Sequence, residues 1–128
     1  MQNLVREWIE KAEGDFATAQ REWRARRNRN QDAVCFHAKQ CIEKYLKALL
    51  QKDKAPFTKT HDLAILGKAC AAKHPLLAPR IADLDALSRF AVLFRYPGES
   101  AARQDAATAV RLMKAYRLSL RQELGLNN

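Results

Sequence analysis

The chain has 128 residues, of which 48% are hydrophobic and 29% charged. These proportions argue against an intrinsically disordered chain and against a membrane-spanning class, and the length predicts a single domain, 1–128. Lysine and arginine number 23 against 14 acidic residues, so the formal net charge is +9. This excess favours contact with polyanions, because neutralising phosphates releases counterions from nucleic acid.

Helices are predicted from one end of the chain to the other. Apolar residues recur at spacings of three and four from Leu4 to Trp23, which is typical of an amphipathic helix. A second helix over 33–52 follows the charged segment RRNRNQD, with Asp32 as its expected N-cap. A shorter helix is expected to begin after Thr60 as its cap.

Two more helices complete the prediction. The fourth is expected to stop at the YPGES segment, and the fifth to begin after Ser100 as its cap and to end near Gly125. Short polar loops join these elements. The predicted fold class is therefore all-α, an antiparallel up-and-down four-helix bundle with one additional short helix.

The three cysteines, Cys35, Cys41 and Cys70, share no metal-ligand spacing and fall in apolar helical segments. Buried, reduced thiols and a cytoplasmic setting are expected. The N-terminus has no apolar signal-peptide region, and no apolar run approaches the ~18 residues of a membrane span. The few scattered histidines predict no metal site, and no cofactor is expected.

The segment CFHAKQCIEKYLKALL of the second helix carries a row of polar residues beside its apolar face. The row consists of His37, Gln40, Glu43, Lys44 and Lys47. On a helical wheel, His37 and Lys44 flank the apolar face and the other three lie further round. An ordinary solvated helix face explains this row, and one wall of a binding site is the alternative.

Four segments follow one another along the chain: WIEKAEGDFATA, FHAKQCIEKYLKALL, KTHDLAIL and ALSRFAVLFRYPGES. In this order they resemble the HEPN domain, a nucleotide-binding helical domain of higher eukaryotes and prokaryotes. The resemblance implies a bundle of four to five helices that forms a homodimer with a cleft for a nucleotide or RNA. It also implies a minimal nucleotidyltransferase protein as partner, often in a toxin-antitoxin pair.

Many HEPN domains are metal-independent ribonucleases whose signature is an arginine followed, after four to six residues, by a histidine. Neither Arg89 nor Arg95 is followed by a histidine in this way. The missing signature favours a nucleotide- or RNA-binding module without catalytic activity. Two alternatives stay open: an endoribonuclease that pairs Arg95 with His37 or His61, and a purely structural helical interaction protein.

The resemblance also assigns roles within the expected cleft. Arg95 is expected to bind phosphate and Tyr96 to stack on a base. Gln40 is expected to donate hydrogen bonds, Glu43 to orient Arg95, and Lys44 and Lys47 to add positive charge. Structural alternatives stay open for Arg95 and for the two histidines. Arg95 complements a helix dipole or pairs with Glu43, and His37 and His61 are hydrogen-bonded structural histidines.

The densest positive charge on the chain lies between the first two helices. It consists of Arg21, Arg24, Arg26, Arg27 and Arg29. A solvated helix end and loop would explain it. The alternatives are binding of a phosphate backbone without sequence preference, or contact with an acidic partner.

Overall fold

The computed structural model describes residues 1–57 and 59–126, which form five α-helices and one short 3-10 helix. The α-helices are α1 (Asn3–Arg24), α2 (Gln31–Lys52), α3 (Leu63–Ala71), α4 (Ile81–Leu93) and α5 (Arg103–Glu123), and the 3-10 helix is Pro75–Leu77. The described residues contain no β-strand, so the all-helical prediction is confirmed. The antiparallel four-helix arrangement stays a prediction.

Helix α2 is the central element, since it contacts α1, α3, α4 and α5. Its fully buried side chains include Ile42, Tyr45, Leu46, Leu49 and Leu50. Removing this much apolar surface from water is the main source of the fold's stability. Because neighbours cover α2 on several sides, charged residues of this helix are also drawn into the interior.

Two of the predicted N-caps are wrong. Helix α2 begins earlier than expected, and Asn30, rather than Asp32, accepts the backbone N–H of Ala33 at 3.0 Å. The cap of α3 is Asp62, which accepts the N–H groups two and three residues further on at 2.9 and 3.3 Å. Thr60 lies two residues before this cap, and its hydroxyl accepts the N–H of Asp62 at 3.1 Å. Neighbouring cap-type residues explain both errors.

The ends of the last two helices also differ from the sequence prediction. Helix α4 ends at Leu93, before the expected YPGES segment. Ser100 does not cap α5; instead Asp105 reaches back to accept the N–H of Ala102 at 2.8 Å. The predicted glycine at the other end of α5 is confirmed, because Gly125 has a φ of 77°, which glycine adopts at little cost.

The interior contains a polar link between α1, α2 and α5. Tyr45 donates its hydroxyl to Glu13 at 2.5 Å, and Arg117 donates two bonds to the same carboxylate at 2.7 and 2.8 Å. Burial raises the pKa of Tyr45, and the Glu13 carboxylate raises it further, so the phenol stays protonated as a donor. These bonds fix the position of α1 against α2.

All three cysteines are buried and free. Burial, with a contribution from nearby carboxylates, raises the pKa of Cys35 and of Cys70 to about 12, and it raises the pKa of Cys41 as well. A thiol that stays protonated at neutral pH is a poor nucleophile. None of the helices in the described ranges is long and apolar enough to span a membrane.

Candidate functional site

An open groove of about 220 Å³ lies between the start of α2 and the end of α4. Its lining residues are Asn30, Asp32, Ala33, Phe36, His37, Phe90, Ala91, Phe94 and Arg95. The groove therefore contains a guanidinium, an imidazole and three phenyl rings. It also brings together His37 and Arg95, a pairing that the sequence left open as one alternative.

Arg95 lies in the turn after α4 and is exposed. Its guanidinium carbon is 5.9 Å from the centroid of the Phe36 ring, a cation–π distance that helps to hold the side chain at the groove. Phe90 and Phe94 stack with their centroids 5.5 Å apart. A guanidinium in this setting keeps its N–H donors available, and their planar fork matches the oxygens of a phosphate.

His37 is held by a buried carboxylate on α1. Its Nδ1 lies 2.8 Å from Oδ1 of Asp15, and Lys44 donates to the other carboxylate oxygen at 2.5 Å. Because Asp15 is only 8% exposed, its two hydrogen bonds hold the side chains of His37 and Lys44 in defined positions. Since a carboxylate only accepts, Nδ1 donates its N–H to Asp15, and Nε2 is the ring nitrogen left for a ligand.

Glu43 forms a second, separate cluster. It is 3% exposed and accepts hydrogen bonds from Lys39, from Lys47 at 3.0 Å and from Nδ1 of His61 at 3.0 Å. Burial alone would raise the pKa of Glu43, but these bonds outweigh it and hold the pKa at about 2. The expected contact with Arg95 is absent: within the described residues the two form no ion pair, because Glu43 is already engaged on α2.

The predicted polar row of α2 is therefore divided. Lys44 is bound to Asp15, whereas Lys47 donates to Glu43 and lies 5.5 Å from the centroid of the Trp8 ring. Neither lysine lines the groove. Gln40 is half-buried, and it does not line the groove. Of the row, only His37 lines the groove that contains Arg95.

Tyr96 and His61 occupy different surroundings. Tyr96 is 63% exposed and lines a neighbouring groove of about 240 Å³ with Val92 and Arg95, so Arg95 is shared between two grooves. The side chain of His61 is 80% exposed, and its contact is with Glu43. The structure thus brings Arg95 together with His37 and Tyr96 and leaves His61 elsewhere.

The family follows from a comparison with known proteins. The sequence model of the HEPN domain matches residues 5–118, which is most of the chain. The chain belongs to the HEPN domain family. Its fold is similar to the crystal structure of an archaeal HEPN homologue, with a TM-score of 0.66 and 20% identity over 96% of this chain and 98% of that one. No curated protein sequence matches the chain as a relative.

In this HEPN domain, the histidine nearest to Arg95 comes from α2 rather than from the residues that follow Arg95. Asp15, Phe36, Phe90 and Phe94 are further groove or support residues that we did not predict from the sequence. Asp15 could have been suspected from the sequence only because it lies in WIEKAEGDFATA, one of the segments that resemble the family. Its spacing alone could not show that it faces His37.

The described part of this HEPN domain contains no group of three or more His, Cys, Asp or Glu side chains that could hold a metal ion. The side chains of the groove offer a defined chemistry of their own. It consists of phosphate binding by Arg95, ring stacking, and proton transfer or hydrogen bonding at Nε2 of His37.

Proposed function

We propose that this HEPN domain binds a nucleotide or RNA in the groove between α2 and α4, through the phosphate. The observation that carries the proposal is the shared groove of Arg95, His37 and Phe36. An exposed guanidinium supplies paired donors for phosphate, and the phenyl rings supply surfaces on which a base can stack. The net charge of +9 attracts the same ligand at longer range.

The remaining predicted binding residues have supporting roles in this proposal. Tyr96 is adjacent to Arg95 and stacks on a base beyond the groove. Lys44 and Lys47 contribute positive potential without lining the groove, and Glu43 holds Lys47 in place. Gln40 stays a predicted hydrogen-bonding residue.

A comparison of AMP with adenosine tests the proposal. Charged hydrogen bonds contribute about 1.5–3 kcal/mol, so we expect AMP to bind about 10- to 100-fold more tightly than adenosine at low salt. Isothermal titration calorimetry measures both affinities. Equal binding of the two would contradict phosphate recognition. No binding of AMP or of short RNA would favour the third interpretation, a purely structural helical interaction protein.

Endoribonuclease activity is a second candidate function, favoured by the contact between His37 and Asp15. In this mechanism Nε2 of His37 takes the proton of a ribose 2′-hydroxyl, and the freed oxygen attacks the phosphorus to form a 2′,3′-cyclic phosphate. The bond from phosphorus to the 5′-oxygen breaks, and the leaving oxygen takes a proton from water. Arg95 stabilises the phosphate charge during the attack. Asp15 keeps the imidazole in the tautomer that can accept a proton.

The His37→Gln variant separates the two functions. A general base contributes about 10²- to 10⁴-fold to rate, so metal-free cleavage of a labelled structured RNA should fall by that factor. His61→Gln is the matched control, because His61 is an exposed histidine bonded to a carboxylate outside the groove. If the wild-type protein does not cleave, the nuclease candidate is excluded and the binding proposal stands.

We also propose that the protein forms a homodimer. The supporting observation is an exposed apolar surface at the end of α4 and in the turn that follows it. Val92, Leu93 and Tyr96 are 58%, 43% and 63% exposed and line one apolar groove with Arg89. An exposed patch of large apolar side chains is typical of an interaction surface. Multi-angle light scattering should give twice the mass of one chain for the wild type. The Val92→Asp variant, which places a charge on this surface, should give the mass of one chain. A monomeric wild type would exclude the dimer.

The minimal nucleotidyltransferase partner, the toxin-antitoxin role and the cytoplasmic setting are proposals drawn from the family resemblance. Three buried, free thiols support a reducing compartment. Affinity purification of the tagged chain from its native host should recover the nucleotidyltransferase at constant stoichiometry. Its consistent absence would remove the pairing from the proposal.

A further inference from the structure

The segment 24–27, which ends α1 and begins the loop to α2, carries positive charge that no ion pair among the described residues neutralises. Arg24, Arg26 and Arg27 are exposed, and in the described part of the chain none of them forms an ion pair. Three free guanidiniums on four consecutive residues form a local concentration of positive charge. The proposed function of the groove does not use them.

The loop is held in place by contacts at both of its ends. The carboxylate of Glu22 accepts the backbone N–H of Asn30 at 2.5 Å. The guanidinium of Arg29 lies 4.6 Å from the centroid of the Trp23 ring, and that of Arg103 lies 5.6 Å from the same centroid. These contacts fix the loop against α1 and α5 while its other arginines stay exposed.

The acidic residues at this end of the bundle bond to backbone groups rather than to the arginines. Glu22 accepts from Asn30, as described above. Asp32 accepts the N–H of Ala101 at 2.6 Å, and Asp105 accepts the N–H of Ala102 at 2.8 Å. These three carboxylates therefore form no ion pair with Arg24, Arg26 or Arg27, whose guanidiniums stay exposed to a ligand.

The loop is continuous with the groove that contains His37 and Arg95. Asn30 and Asp32 follow the loop directly and line that groove. From Asn30 to His37 the rise along α2 is about 10 Å, or two helical turns. A ligand that contacts His37, Arg95 and the loop arginines at once must span more than this distance, so one phosphate group cannot make all of these contacts.

We infer that Arg24, Arg26 and Arg27 form a second phosphate-contacting surface, which the backbone of an RNA chain of several nucleotides reaches where it leaves the groove. The inference rests on the proposed function, since the groove supplies one end of the path. The loop contacts phosphates without reading bases, and the groove holds the nucleotide that Arg95 contacts. RNA fits better than an acidic protein, because the loop continues a phosphate-binding groove.

Fluorescence anisotropy with 2′-O-methyl RNA of increasing length tests the inference, since this RNA cannot be cleaved through its ribose hydroxyl. The test variant is Arg24→Gln/Arg26→Gln/Arg27→Gln. The control variant, Lys11→Gln/Lys68→Gln/Lys114→Gln, removes the same charge at exposed positions of α1, α3 and α5. AMP binding is measured in parallel for both.

We expect affinity to rise with RNA length in the wild type and the control. In the loop variant, losing three phosphate contacts should lower the slope of log affinity against log salt by about 2 and weaken long-RNA binding at least about tenfold, while AMP binding is unchanged. AMP binding without any gain from RNA length would overturn the inference and leave the proposed function intact. No binding of AMP or RNA would overturn both, and equally tight loop-dependent binding of polyglutamate would overturn the assignment to RNA.

Discussion

Replacing Arg95 by alanine is expected to weaken the binding of AMP and of short RNA by about 10- to 100-fold, the range given by one or two charged hydrogen bonds. The guanidinium contacts the ring of Phe36 at the groove and pairs with no acidic residue among the described ones. Its removal should therefore leave the fold intact. Titration of labelled RNA measures the affinity, and circular dichroism checks the helix content.

Two further variants make the Arg95 prediction specific. Arg95→Lys keeps the charge but loses the planar fork, so its affinity should lie between those of the wild type and the alanine variant. Arg111→Ala removes an exposed arginine of α5 outside the groove and should bind as the wild type does, within about twofold. Equal losses in Arg95→Ala and Arg111→Ala would mean that only net charge matters, which contradicts a defined phosphate site.

Replacing Glu43 by glutamine is expected to destabilise the protein by about 3–5 kcal/mol, because removing one partner leaves the other charges of a buried cluster uncompensated. Lys39 and Lys47 are only 5% and 7% exposed, and both donate to this carboxylate. Urea unfolding at pH 7 measures the loss. Glu7→Gln, at an exposed position of α1, should change the free energy of unfolding by less than about 0.5 kcal/mol.

The same cluster predicts a pH dependence. The pKa of Glu43 falls from 4.5 to about 2 in the folded protein, so the unfolded chain takes up its proton at a higher pH than the folded one. This contribution, on the order of 3 kcal/mol, is complete above pH 4.5 and is lost as the pH falls towards 2. The stability gap between wild type and Glu43→Gln should therefore narrow over that range, and a constant gap would exclude the ionised cluster.

The helices were predictable because their apolar spacing is a local property. The pattern from Leu4 to Trp23 corresponds to α1, and the glycine at the end of α5 is where the sequence placed it. The starts of α2 and α3 were displaced by a few residues. Each is preceded by several residues able to cap a helix, and tertiary contacts select among them: Asp32, for example, accepts the N–H of Ala101 instead.

The candidate site was predictable only in part. Arg95 and His37 were both singled out, but a helical wheel of α2 assumes one buried face, whereas α2 contacts four other helices. For that reason the wheel could not show that Glu43 and Lys47 are buried. Long-range polar partners are equally invisible in sequence: His74 bonds to Asp53 and Glu123 at 2.7 and 2.8 Å, although neither lies near it in the chain.

The account depends most directly on the location of the bound phosphate. Backbone amide chemical shifts of the isotope-labelled protein, recorded while AMP is added, locate it without any substitution. We expect the largest changes at residues 30–37 and 90–96, which line the groove and its rim. Changes confined to the groove of Leu77, Arg111 and Tyr116, or no change at saturating AMP, would contradict the proposed site.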